Sequence, residues 1–232
     1  MTWVELGDWW LEELASDPAY SGEIAPFVID LLSPRRPNLY LDVGCGEGRL
    51  LAALAGANID VLGCDTNIRL LRLARRHAPV LREHLPELRS IRHSSIDGAF
   101  ASLVLEHLAD ESSFFRSLAR VVRPAGLLVL VMNHPIWTAP GSSPIEDGSG
   151  EILWRPGGYF GRGYSDEPAG RRKVRFYHRT MAALLTEASM AGWDLERIEE
   201  RGISPEQIAH FPEYEGQEHI PRLVGARWLR RL

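Results

Sequence analysis

Two cysteines in 232 residues, Cys45 and Cys64, are too few for a disulfide framework. They form no C-x-x-C pair, and no histidine has the spacing of a zinc ligand, so no metal is expected. Each cysteine closes an apolar run, the place of a small buried side chain. No stretch approaches the roughly 18 uninterrupted apolar residues of a membrane-crossing helix. Met1–Trp10 has neither the basic start nor the clean apolar centre of a secretory leader. The sequence therefore reads as soluble and cytoplasmic, with no membrane partner. Surplus positive charge is missing too: the net charge is −5, against general affinity for nucleic acid. One basic run, Arg69, Arg72, Arg75, Arg76 and Arg82 with His77 and His84, reads as the solvated face of a helix that packs Ile68, Leu71, Ala74 and Ala78 inward.

What is present centres on Leu39–Leu50, an apolar run that breaks into glycines and resumes as an apolar periodic segment: strand, tight turn, helix. Gly44, Gly46 and Gly48 permit positive φ or close approach of a ligand to backbone. A dinucleotide fingerprint G-x-G-x-x-G counted from Gly44 needs glycine where Arg49 stands. The pattern is instead D-x-G-x-G-x-G, and Asp42 at the strand end suits a ligand carrying a cation better than a pyrophosphate. Asp65 ends the next apolar run, where a carboxylate accepts ribose hydroxyls; nicotinamide enzymes share that feature.

With Leu103–Leu108 (LVLEHL) and Arg120–Leu128 (RVVRPAGLL) following in order, residues 38–132 resemble the class I S-adenosylmethionine-dependent methyltransferases, of the type 11-like, small-molecule group. The resemblance implies an α/β fold: a Rossmann-like three-layer αβα sandwich around a mostly parallel seven-stranded sheet with an antiparallel last strand. It implies S-adenosyl-L-methionine as cofactor, held by Asp42, Gly44, Cys45, Gly46, Arg49, Asp65, Thr66, Asn67 and Leu105. The family's G-D-A-x-x-L-P-F stretch between strands three and four is not matched by Arg92–Ala101, so the interval looks shortened. Ser94 and Ser95, or Asp97, stand where adenine contacts are expected. The shortening keeps a non-catalytic protein of the same fold as an alternative, and a nicotinamide-dependent oxidoreductase as a weaker one.

The whole chain, 1–232, reads as one domain with an N-terminal helical cover at 1–37 and a substrate-lid insertion at 133–175. A capping box at Thr2–Glu5 starts the first helix and Asp17-Pro18 stops it; a second starts near Ser21–Glu23. Trp3, Trp9, Trp10 and Tyr20 are candidate covering residues. Then come strand 39–43, helix 48–56, strand 59–64, helix 67–78 or longer, strand near 89–93, strand 100–105, helix 111–122 and strand 127–132, an alternation that predicts right-handed crossovers and a parallel sheet. Asn67 and Asp110 are placed to cap helices. From Asn133 to Gly170 glycine and proline interleave with aromatics, an ordered excursion, with a hairpin about Pro156-Gly157-Gly158. Val174–Thr180 re-enters the sheet, helix 180–191 starts at Thr180, and strands follow at 193–199 and 223–229, the last antiparallel.

Methyl transfer is an in-line displacement that positioning alone largely promotes. A hydroxyl, phenol or amine acceptor must also lose a proton, for which His107, His134, Tyr177 and His178 are the catalytic candidates. Glu106, Trp137, Tyr159 and Arg179 are the candidates for binding substrate, Arg179 through a bidentate grip on a carboxylate or phosphate. The expected partner is a small-molecule substrate, with no nucleic acid; homodimerisation stays open.

Overall fold

The computed structural model describes residues 3–16, 20–169 and 171–232. A turn at Trp3–Glu5 leads into α1 (Gly7–Ser16), and α2 (Ala25–Leu32) follows with Pro26 in its first turn. Thr2, the expected cap, and the Asp17-Pro18 stop lie outside the described residues. Phe27, Val28, Leu31 and Leu32 form the buried stripe of α2.

The sheet then begins with β1 (Leu39–Val43), α3 (Arg49–Gly56), β2 (Asp60–Asp65) and α4 (Ile68–Ala74). Asn67 caps α4 as expected, accepting from Arg69 N at 2.9 Å. The helix ends earlier than its apolar spacing predicts, because Ala78 precedes Pro79 and a residue before proline is driven from helical angles. The chain is extended at once as β3 (Val80–Arg82), which pairs with β2 in the register Gly63↔Val80.

The predicted strand near 89–93 is therefore a loop. Leu88 and Ser94 take φ +49° and +48°, and Arg120 donates to the carbonyls of Ile91 (2.8 Å) and Leu88 (2.6 Å), bonding the loop to a helix. The fourth strand, β4 (Ile96–Ser102), also lies earlier than the predicted 100–105, since Leu103 at φ +55° breaks it and Leu105–His107 forms a single turn. The interval between third and fourth strands is thus not shortened; it begins after Arg82.

Next come α5 (Glu111–Val121), capped by Asp110, and β5 (Val122–Asn133). After α6 (Pro135–Thr138), β6 (Ser143–Glu146) and β7 (Ile152–Arg155) form a hairpin whose turn is at Asp147–Gly150, not at Pro156–Gly158. Asp147 Oδ1 accepts from Ser149 N and Glu151 N at 2.8 and 2.9 Å and so builds that turn. Gly157 and Gly158 instead pack on Pro140, whose carbonyl accepts from Gly158 N at 2.9 Å.

A second hairpin joins β8 (Gly163–Ala169) to β9 (Arg172–His178). The segment predicted to re-enter the sheet at Val174–Thr180 belongs to this separate two-stranded ribbon. The chain closes with α7 (Met181–Met190) capped by Thr180, β10 (Trp193–Arg201), α8 (Pro205–His210) and β11 (Leu223–Arg230).

The main sheet has seven strands in the order β10-β11-β5-β4-β1-β2-β3, with β11 antiparallel to both neighbours, as the family resemblance implies. One face carries Phe114, Phe115, Leu118, Trp193 and Trp228 against α5 and α7. The other carries Phe27, Leu31, Leu51, Leu54 and Phe100 beneath α2, α3 and α4. Among the described residues no helix is long and apolar enough to cross a membrane.

Candidate active site

The carboxyl ends of β1, β2 and β4 meet in a cleft of ≈ 230 Å³, the usual ligand position of an open α/β sheet. Gly44, Cys45, Gly46 and Glu47 form one wall. Gly44 N and Cys45 N donate to Cys64 O at 2.8 and 2.9 Å, folding the turn back on β2. This turn requires glycine: Gly44 has φ +79°, and a Cβ there would stand 2.5 Å from Val104 Cγ2.

Asp65 lies on the floor. Its Oδ2 accepts from Gly46 N at 3.0 Å and its Oδ1 from Asn67 N at 2.7 Å. Burial raises its carboxyl pKa, against the lowering by those backbone N–H groups. Asp42 stands behind the turn and does not line the cleft; it is 2% exposed and, among the described residues, its Oδ2 has no hydrogen-bond partner. Burial, then the neighbouring Asp65 and Glu47, pushes its pKa well above the carboxylate range. Burial likewise drives the Cys45 and Cys64 thiols upward, so neither is a thiolate nucleophile.

Thr66 lines the cleft beside His84 and Leu85, with Thr66 Oγ1 3.1 Å from His84 Nδ1. Across from them stand Ser102, Leu103 and Val104. Trp3 and Trp10 close the top; Trp3 O accepts from Asn67 Nδ2 at 3.0 Å, tying this cover to the end of β2. Tyr20, the other proposed cover with Trp9, has a side chain outside the described residues; Trp9 packs with Leu6, Ala169 and Val174.

Several sequence-predicted residues lie elsewhere. Ser94, Ser95 and Asp97 sit at the opposite, amino end of β4: Ser95 N donates to Val121 O at 2.9 Å, Arg230 to Ser94 Oγ at 3.1 Å, and Asp97 takes Leu39 N at 2.6 Å and pairs with Arg123. They cannot reach the cleft, because β4 begins at Ile96 and only its carboxyl end, at Ser102, borders the cleft. Leu105 is buried below the cleft, whose lining ends at Val104 and resumes at His107. Arg49 pairs with Glu47 at 3.0 Å, and Asn67 supports Asp65 from behind.

Of the catalytic candidates only His107 lines the cleft. Its Nδ1 lies 2.9 Å from Arg175 O, which fixes the proton on Nδ1 and leaves Nε2 as the basic nitrogen. Burial holds its pKa below the ordinary histidine range, against the opposite pull of Glu106 and that carbonyl. His134 has both nitrogens engaged, Nδ1 accepting from Ile136 N at 3.1 Å and Nε2 meeting Glu200 at 2.7 Å, so it caps α6. His178 meets Tyr159 O at 2.8 Å, and Tyr177 stands against Tyr164 with ring centroids 6.2 Å apart; none of these three faces the cleft.

Among the proposed substrate binders, Arg179 is 3% exposed and donates to Leu105 O (2.8 Å) and Leu108 O (2.6 Å), with Glu111 3.6 Å from its Nε. It fastens the segment after β4 and has no access to a ligand. The Tyr159 hydroxyl accepts from Met181 N at 3.2 Å, and Glu106 accepts from Asn133. Trp137 lines a second cavity of ≈ 380 Å³ beyond the end of β5.

The lining residues missed by sequence were Glu47, Leu70, His84, Leu85, Ser102–Val104 and Leu108. His84 and Leu85 would have followed from ending the third strand at Arg82. Among the described residues no group of three or more His, Cys, Asp or Glu is arranged to hold a metal ion.

Residues 41–130 match a family model described as a methyltransferase domain. The chain is 26% identical to an S-adenosylmethionine-dependent methyltransferase from Mesorhizobium loti, with a TM-score of 0.79 over 90% of this chain and 99% of that one. It shares its fold with a methyltransferase from Methanosarcina mazei, at 18% identity and TM-score 0.63, over 89% and 98% of the two chains. It is 32% identical over 129 residues to the ubiquinone biosynthesis O-methyltransferase of Sinorhizobium medicae, a stretch covering 51% of this chain and 50% of that protein. The chain spans about half the length of the curated relatives it matches.

Proposed function

We propose, from this chain's membership of the S-adenosylmethionine-dependent methyltransferases, that it transfers a methyl group to an oxygen, nitrogen or carbon nucleophile of a small molecule. The observation that carries the reading is the Asp65 carboxyl on the floor of the cleft, holding the glycine turn through Gly46 N, with the buried Asp42 carboxyl behind that turn. The cleft fits S-adenosylmethionine: Gly44–Gly46 present backbone where a Cβ at Gly44 would collide with Val104, and the buried Asp42 carboxyl behind them, whose pKa burial raises, would give up its proton in the field of an ammonium. Asp65 would take the ribose hydroxyls, and Thr66, His84 and Leu85 the adenine end.

When bound, the sulfonium supplies the methyl group and leaves as a neutral thioether. Trp3 and Trp10 keep water from the cleft, and Ser102–Val104 bound the side on which the acceptor approaches. His107 is neutral near pH 7 with its proton on Nδ1, so Nε2 receives the acceptor's proton. The two hairpins over 143–178 cover the acceptor, with β9 carrying both the Arg175 carbonyl and Phe176 against His107. The non-catalytic alternative loses its motive, since the interval after the third strand is present and lines the cleft.

Calorimetric titration with S-adenosylhomocysteine tests the reading, alongside Asp65→Ala. Binding by the wild type that is lost in Asp65→Ala supports it; a folded wild type that binds neither S-adenosylmethionine nor S-adenosylhomocysteine refutes it.

A further inference from the structure

We infer that the second cavity, between α6, the hairpins and the carboxyl end of β5, is a binding site for a planar aromatic carboxylic acid, read by Arg222. The inference rests on the methyltransferase reading for calling that acid the acceptor; occupancy of the cavity stands apart from it.

Among the described residues the cavity has an aromatic wall and one half-buried cation, Arg222. The indoles of Trp137 and Trp154 are stacked, with centroids 4.5 Å apart at 21°, and Trp154 Nε1 donates to Ile136 O at 3.1 Å, which pins the hairpin onto α6. Phe176 also lines the cavity. At ≈ 380 Å³ the space falls within the range of small-molecule sites, about 300–1,000 Å³. Flat apolar walls favour a flat apolar body, because ring contact adds to area burial.

Arg222 sets the polar end. Its guanidinium lies over Trp137, 4.7 Å from the ring centroid, and donates to Asn133 Oδ1. Asn133 is itself fixed: its N and Nδ2 both donate to Glu106 Oε1, at 3.3 and 3.0 Å, which turns Oδ1 toward Arg222. Glu106 is 1% exposed, so a buried carboxylate orients the amide that orients the cation. An arginine fork held in one plane matches a carboxylate. The cavity's acid, Glu167, lies on the exposed strand β8 at the mouth, where water and salt screen it. The half-buried Arg222 therefore sets selectivity, and Glu167 at most the rate of entry.

The site also lies beside the cleft. Asn133 ends β5, the neighbour of β4, and Leu103 N donates to Val131 O at 2.9 Å where the two strands part. Phe176 lines the cavity while its ring stands 4.6 Å from that of His107, which lines the cleft. A carboxylate at Arg222 thus sets an aromatic acid in a cavity lined by Phe176, the ring that packs on His107 of the cleft.

The experiment titrates 4-hydroxybenzoate and its neutral analogue 4-hydroxybenzamide, with tyramine as the cationic control, following tryptophan fluorescence and calorimetry. The proteins are wild type, Arg222→Met, Trp137→Ala and Glu167→Gln, and S-adenosylhomocysteine is titrated into each. The expected result is that the acid binds wild type about tenfold or more tightly than the amide, and that Arg222→Met abolishes this preference. Trp137→Ala weakens acid and amide alike, and Glu167→Gln leaves the preference in place. Equal binding of acid and amide, tighter binding of tyramine, binding of none of the three, or a preference that survives in Arg222→Met overturns the inference. Unchanged S-adenosylhomocysteine affinity in Arg222→Met shows that variant to be folded; if it fails to fold, the wild-type preference and its persistence in Glu167→Gln decide. S-adenosylhomocysteine binding without acid binding removes the cavity inference and leaves the methyltransferase reading. Acid binding without it does the reverse.

Discussion

Asp65 holds Gly46: the carboxylate at the end of β2 accepts the backbone N–H of the turn after β1 at 3.0 Å, and with its second oxygen the N–H of Asn67 at 2.7 Å. One side chain thereby sets the separation of two strand ends and the start of α4. Asp65→Ala leaves two backbone donors without this acceptor, at a cost of about 1–3 kcal/mol each if they stay dry. A lowered urea midpoint, together with loss of S-adenosylhomocysteine binding, is expected. Asp65→Asn keeps an acceptor and restores part of the stability without the affinity.

The Asp42 carboxyl makes a different, pH-dependent prediction. Its pKa is raised by burial, so the free protein retains its proton above the ordinary carboxylate range. A cationic ligand beside it lowers that pKa and expels the proton. Affinity for S-adenosylhomocysteine, whose ammonium remains, should fall as pH falls through the raised value. Calorimetry in buffers of different ionisation enthalpy should register proton release, absent in Asp42→Asn. An apparent enthalpy independent of buffer would count against the contact.

Gly44→Ala combines a left-handed φ of +79° with a Cβ only 2.5 Å from Val104 Cγ2. The backbone term alone is about 1–2 kcal/mol. Gly44→Ala with Val104→Ala relieves the collision and leaves the backbone strain, so thermal denaturation should place the double variant between the single Gly44→Ala protein and the wild type.

His107 and His134 both have pKa values lowered chiefly by burial. For a depressed histidine the unfolded chain binds the proton more tightly. Stability is therefore kept above the unfolded value, about 6.5, and lost as pH falls through the lower folded values. Urea midpoints between pH 7.5 and 5 should fall accordingly. His134→Gln should flatten this slope and leave S-adenosylhomocysteine affinity unchanged, since His134 caps α6 and does not line the cleft.

Arg179→Met removes the donor to two carbonyls and leaves the buried Glu111, among the described residues, with Arg162 as its ion partner, which is 67% exposed. Removing one partner of a buried pair costs about 3–5 kcal/mol. Denaturation should show a loss of that order, with Arg179→Met plus Glu111→Gln recovering part of it; a negligible loss would remove Arg179 from its structural role.

The cofactor half was legible because its signals are local. The glycine register, Asp65, the Asn67 and Asp110 caps and the strand expected at 223–229 depend on neighbours in sequence or on an apolar run; the antiparallel sense of that strand came from the family resemblance. What was misread depends on neighbours far away. β3 is too short to show a period, and the loop after it is held by Arg120 of a later helix. Arg179, His134 and Tyr159 look like active-site chemistry in sequence; the partners that engage them, Leu105, Glu200 and Met181, are set only by packing. His107 was visible, and its tautomer was not, because Arg175 O reaches it from another hairpin.

The insertion of β11 between β5 and β10 has a consequence for the order in which the molecule can be made. A ribosome releases β5 with an open hydrogen-bonding edge that waits for its partner from Asn133 until Leu223. Until then a strand interior to the finished sheet is a border, and β10 has nothing to pair with. The nascent chain therefore carries an unpaired strand edge over the stretch from Asn133 to Leu223. Completion is a single late insertion, so that a ribosome stalled before residue 223 would leave a polypeptide prone to pair with another copy of itself.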